Sequence, residues 1–162
     1  MVTDLPPERI PWVLLSYRIP REPSTPRISV WRRLRRLGVA QISDGLVALP
    51  LDSRNREQLE WLADEVIEHG GTAAIWTGVL ASAADERRIA EGLAETIAHE
   101  YAVIAEEATV CRSIDAGGRR AALRRLRREL RLVRARDHFP PPNREAAVRA
   151  VEELAALVGA EP

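Results

Sequence analysis

WVLLSYRIPREPSTPRISVWRRLRRLGVAQISDGLVALP, residues 12–50, decides how this chain folds. Residues 12–19 form an apolar run rich in strand formers and read as a buried central strand. Pro20, Pro23 and Pro26 break that run. Thr25 is placed to cap a helix, with Pro26 at its first position and Gly38 as its stop. Ile28, Trp31 and Leu34 share one face at helical spacing, with Leu37 beside them, so this face is expected to be the inner one. Arg32, Arg33, Arg35 and Arg36 take the rest. Two short apolar segments, 39–43 and 46–49, meet at Asp44-Gly45, a hairpin signal, and Pro50 ends the second.

Working outward, residues 54–69 predict a second helix with Leu59, Leu62 and Val66 inward. Gly70-Gly71 stops it, and residues 72–77 form a further strand with Trp76 near its end. The order is strand, helix, strand, strand, helix, strand. That order predicts an α+β fold with a ferredoxin-like βαββαβ domain. The remainder is helical. Ile89, Leu93, Ile97, Tyr101, Ile104 and Ala108 align over residues 85–109. After a break at Gly117-Gly118, Leu123, Leu126, Leu130 and Val133 align over 119–136. Beyond Pro140, Pro141 and Pro142, Asn143 can cap a last helix striped by Val148, Val151, Leu154 and Val158. The expected organisation is a flexible N-terminal tail (1–11), a ferredoxin-like domain (12–80) and a three-helix extension (81–162).

The chain of 162 residues has enough apolar content, 46%, for a folded core. No apolar stretch reaches the ~20 residues that span a bilayer, and residues 1–11 lack a signal-peptide core, so a soluble cytoplasmic protein is expected. Cys111 is the only cysteine, which excludes an internal disulfide; it reads as part of an apolar helix face. The zero net charge hides a separation. All 24 basic residues are arginine. Residues 18–36 hold seven of them against Glu22, net +6, and residues 119–136 hold nine against Glu129, net +8. Residues 52–107 hold thirteen acids against four arginines, net −9.

Two constellations follow. Arg120, Arg124, Arg127, Arg131 and Arg134 recur at spacings of four, three, four and three, which draws one stripe along a helix. Glu129 cannot neutralise five guanidinium groups. Either phosphates meet them, or the acidic helix carrying Glu86, Glu91, Glu95, Glu100, Glu106 and Glu107 packs antiparallel and does so. Arg32, Arg33 and Arg36 would assist in a nucleic-acid contact. Arg18, Arg21 and Arg27 surround a strand end and a helix start, where a small oxyanion is also favoured. His69, His99 and His138 are scattered without metal-ligand spacing, and neither a phosphate-binding glycine loop nor a nucleophile elbow is present. No enzyme and no cofactor are expected. Trp31 and Trp61 fit helix faces towards the sheet, which argues against base stacking by them.

The segments YRIPREPSTPR and DGLVALP, followed by REQLEWLADEVIEHGG and TAAIW, resemble the N-terminal domain of ChrB-type chromate-resistance proteins over roughly residues 10–140. The resemblance implies a transcriptional regulator that associates with DNA and controls chromate efflux. Such proteins continue into a second, C-terminal domain that this sequence does not contain. A stand-alone or partner-dependent form is therefore expected, with a separate protein supplying that domain. A more distant likeness, to the middle domain of the phenylacetate-pathway repressor and to the small ferredoxin-like CRISPR adaptation subunit, agrees with the fold. The latter family ends its first strand with an aspartate in a setting like YDIP. Here the segment is Tyr17-Arg18-Ile19-Pro20, and arginine binds no divalent metal, so nuclease activity is not implied. The expected partners are the DNA phosphate backbone, chromate or a related oxyanion, and a second copy of the chain in a homodimer. A small-oxyanion binder or an interaction module without DNA binding is the alternative.

Overall fold

The structure, a computed structural model, describes residues 9–160. Four strands and five helices follow one another: β1 (Trp12–Arg18), α1 (Ser24–Leu37), β2 (Ala40–Ser43), β3 (Leu46–Pro50), α2 (Ser53–Glu68), β4 (Thr72–Gly78), α3 (Ala83–Val110), α4 (Ala116–Ala135) and α5 (Arg144–Gly159). A short 3-10 turn, Cys111–Ser113, precedes α4. The chain forms two compact units, divided after Ala90. Among the described residues no helix is long and apolar enough to cross a membrane. The first eight positions of the tail expected over 1–11 lie outside the described residues. Of the rest, Arg9 donates to the carbonyls of Leu80 (3.0 Å) and Ala81 (3.4 Å), and the Ile10 N–H donates to buried Glu86 (3.3 Å).

The first unit is a mixed helix-and-sheet structure. Its four strands are antiparallel in the order β2-β3-β1-β4. β1 is central, with Leu14 opposite Ala48 on one side and Trp76 on the other. Alternation sends Val13 and Leu15 of β1, with Val47 and Leu49 of β3, to one face. There they pack with Val30 and Leu34 of α1 and with Leu59, Leu62 and Val66 of α2. Asp52 caps α2 by accepting from the Asn55 N–H at 2.6 Å.

Two glycines fix the end of β1. Gly45, in the β2–β3 turn, has a φ of 73°, and a Cβ there would lie 2.4 Å from the Tyr17 carbonyl oxygen. The Gly45 carbonyl accepts from the Tyr17 N–H at 2.7 Å. Gly71, in the α2–β4 turn, leaves the same 2.4 Å to the Arg18 carbonyl. Backbone therefore presses on Tyr17 and Arg18 from both neighbouring turns, and only glycine leaves room for it.

The second unit buries Ile97, Tyr101, Ile104 and Ala108 of α3 against Leu123, Leu126, Leu130 and Val133 of α4 and Ala147, Val151 and Leu154 of α5. Cys111 packs against this core, half-buried. Tyr101 donates its hydroxyl to Asp137 at 2.8 Å, and Arg144 lies 3.6 Å from the same carboxylate oxygen.

Four local expectations are corrected. Helix α1 starts at Ser24 behind Pro23, without a side-chain cap, so Thr25 is inside the helix. Pro26 in that first turn has no N–H to satisfy, which lessens the need for a cap. Gly117 and Gly118 do not break the chain: they form the first turn of α4, where Asp115 accepts from the Gly118 N–H at 3.0 Å. Asn143 does precede α5, but its side chain donates to the Ala98 carbonyl (2.8 Å) and ties α3 to α5. Finally, Ile28 and Trp31 face outward. Val30 and Leu34, with half-buried Leu37, supply the inner row.

Two outcomes test this architecture. Gly45→Ala is expected to cost about 2 kcal/mol or more of stability, because strain and collision combine. Gly70→Ala, at a φ of 77° with open space around it, is expected to cost only about 1 kcal/mol; equal losses in urea melts contradict the close approach. Burial first, and then the bond to Asp137, push the Tyr101 phenol from 10.0 up to about 12. The protonated phenol therefore stabilises the fold fully below pH 10, and that contribution disappears as pH rises from about 10 to about 12. Melting Tyr101→Phe beside the parent from pH 8 to 12 is expected to show two differences: a loss of roughly 1–2 kcal/mol at pH 8, and a shallower alkaline decline.

Candidate nucleic-acid interface

Helix α4 is built to present arginine. Asp115 holds its start, and the N–H groups of Gly118 and Gly117 keep that carboxyl below the usual carboxylate range. Its inner row is Ala122, Leu123, Leu126, Leu130 and Val133. With that row buried, Arg124, Arg127, Arg131 and Arg134 are all exposed. Among the described residues these four make no ion pair within 4.0 Å. Arg120, exposed near the start of α4, is engaged within the chain and is not counted with them.

The acidic helix does reach α4, but on another flank. Arg125 bridges Glu107 (2.6 Å) and Glu129 (3.3 Å), and Arg136 pairs with Glu100. The bond to Glu107 raises the Arg125 guanidinium above its ordinary value. Sequence spacing grouped Arg120, Arg124, Arg127, Arg131 and Arg134 without showing which side of α4 faces α3. Arg125, Glu129 and Arg136, at spacings of four and seven, mark the side facing α3.

The arginines of α1 are divided in the same way. Arg33 is locked to Glu65 of α2, which also accepts from the Ser29 hydroxyl at 3.0 Å. Arg32 and Arg36 are exposed and line a groove with Thr25, Ile28 and Ser29, and Arg33 forms part of its wall.

Of the strand-end set, Arg18, Arg21 and Arg27 are all exposed. Arg27 lines the groove formed by Tyr17, Ile19, Ile28 and Trp31. Burial, and then Asp44, raise the Tyr17 phenol there. Trp31 is 54% exposed, with the Arg35 guanidinium 4.9 Å above its ring. Trp61 is 51% exposed on α2. The expectation that both face the sheet is thus corrected. Turning Trp31 inward would carry Arg27 and Arg35, four residues either side, towards the core without carboxylates. That spacing, Arg27–Trp31–Arg35, was the signal for an outward tryptophan. Among the described residues no cluster of three or more His, Cys, Asp or Glu could hold a metal ion.

A family model described as Protein ChrB, N-terminal, matches residues 27–116. No curated protein and no solved structure matches. The matched segment contains Arg27, Arg32, Arg33 and Arg36 and ends where α4 begins, so the α4 stripe lies beyond it.

Stability measurements separate framework arginines from available ones. Arg33→Ala, which strands half-buried Glu65, is expected to lose roughly 1 kcal/mol in urea unfolding. Arg32→Ala and Arg127→Ala are expected to stay within about 0.5 kcal/mol of the parent. An equally large loss at Arg127 contradicts its lack of a partner.

Proposed function

Because the chain belongs to the ChrB N-terminal family, we propose that it is a chromate-resistance regulator that associates with DNA in the cytoplasm, without enzymatic activity, through arginine contacts to backbone phosphates. One observation carries this reading. The acids of α3 and α4 engage Arg125 and Arg136 and leave Arg124, Arg127, Arg131 and Arg134 exposed along one helix. Guanidinium groups held in a row on a rigid helix suit a polyanion, because their positions are set before the partner arrives. Each phosphate they neutralise releases counterions, which gives affinity that falls steeply with salt. Arg32 and Arg36 add positive charge in the sheet unit, which falls within the matched segment.

The sheet unit is assigned to the ferredoxin-like type. In support, all neighbouring strands are antiparallel, β1 and β3 are central, and α1 and α2 cover one face. Phosphate contacts position a protein without reading sequence. A homodimer, which doubles the contacts, is the form proposed to bind an operator. Direct chromate binding by Arg18, Arg21 and Arg27 is the alternative, and Arg27 lines a groove beside Trp31.

The test is duplex binding across a salt series. The parent is expected to bind the DNA upstream of its own gene with a steep inverse dependence on salt. The triple variant Arg124→Glu, Arg127→Glu, Arg131→Glu is expected to weaken binding by at least about tenfold and to flatten the log–log salt slope by about 3. Unchanged affinity and slope remove the stripe from the interface.

A further inference from the structure

We infer that the groove between the end of β1 and the outer face of α1 binds a nucleotide unit, an unpaired base stacked on Trp31 with its phosphate held by Arg27. The inference does not rest on the α4 stripe. The groove, of about 390 Å³, is lined by Tyr17, Ile19, Arg27, Ile28 and Trp31. These residues offer a flat aromatic surface, two aliphatic side chains, one phenol and one permanent cation, and no carboxylate. A ligand that fits has a planar apolar part and a negative part close together, and a nucleotide has both.

The indole is prepared for this role. Trp31 is 54% exposed, an unusual place for the largest side chain when Val30, beside it, is buried. Arg35 lies over its ring at 4.9 Å, which braces the indole and puts positive charge beside the stacking plane. Arg27, Trp31 and Arg35 are one row of α1, four residues apart. A base stacked on Trp31 therefore lies between two guanidinium groups.

The neighbouring groove extends the track. Ile28 lines both, and beyond it Thr25 and Ser29 offer hydroxyls while Arg32 and Arg36 offer exposed guanidinium groups. Hydroxyl and guanidinium donors in succession match the oxygens of a second phosphate, and aromatic stacking with a basic groove is how single strands are held without sequence preference. An acidic peptide also meets the charge. However, it leaves the braced indole without the flat partner that such a ring favours.

Three probes settle the matter on the full chain: fluorescein-labelled single-stranded dT12, the blunt dT12·dA12 duplex, and thymidine monophosphate as competitor. Trp31→Ala is expected to weaken dT12 binding by about tenfold or more, and duplex binding by less than about twofold. Trp31→Phe, which keeps an aromatic face, is expected to retain most of the affinity. Trp61→Ala removes an equally exposed tryptophan outside the groove and is expected to change nothing. Parent-like melting of Trp31→Ala excludes unfolding as the cause. Displacement of dT12 by thymidine monophosphate identifies the single nucleotide as sufficient; displacement by oligonucleotide alone identifies a strand. The proposal is overturned if Trp31→Ala matches Trp61→Ala, if single-strand and duplex binding fall together, or if a decaglutamate peptide binds at Trp31 while neither nucleotide probe does. The α4 triple variant acts on the duplex arm, so failure of that reading and failure of this one give different patterns.

Discussion

An arginine keeps its charge at any accessible pH, so a helix face that carries one can be buried only where a carboxylate waits for it. With 24 arginines and no lysine, that rule decides the rotation of the helices here. In α1 two apolar rows compete. The row through Trp31 is flanked by Arg27 and Arg35, for which the core offers no acid. The row through Val30 and Leu34 brings only Arg33 close, and Glu65 of α2 receives it. The second row is buried, although the first contains the larger side chains. Hydrophobic area alone would have chosen the other way.

The same rule divides the charge into two kinds. Arg33, Arg125 and Arg136 are framework: each joins two helices through a glutamate. Arg124, Arg127, Arg131 and Arg134 on α4, and Arg32 and Arg36 on α1, are exposed and make no ion pair among the described residues. A net charge of zero over the chain thus coexists with local surfaces of one sign. Screening length makes the local surface the relevant one, since an approaching phosphate does not feel acids more than about 10 Å away at ordinary salt.

Much of this was legible in the sequence. The strands follow from apolar runs rich in strand formers, both sheet helices from apolar residues at helical spacing, and the turns from Asp44-Gly45 and Gly70-Gly71. What could not be read was partner choice. Nothing in the order of residues says that Glu107 reaches Arg125 rather than a member of the stripe. Nor does it say that Asn143 prefers the Ala98 carbonyl to its own helix. The orientation of Trp31 was readable in principle. Its missed signal was electrostatic, two arginines at four-residue spacing, and apolar periodicity was allowed to outweigh it. Gly117-Gly118 misled because glycine pairs usually end helices, whereas here Asp115 supplies the cap that lets one begin.

The end of β1 is gripped through main-chain atoms: Gly45 and Gly71 close on the carbonyls of Tyr17 and Arg18 and make no demand on their side chains. Anchorage and chemistry are therefore uncoupled at Arg18. Tyr17 also packs against the sheet-unit core, but Arg18 is exposed, so swapping its guanidinium for another group leaves the clamp intact and the strand terminus works there as a socket whose fitting can be exchanged. A protein engineer seeking a different anion preference would start there, with the scaffold already guaranteed by two residues that have no side chain at all.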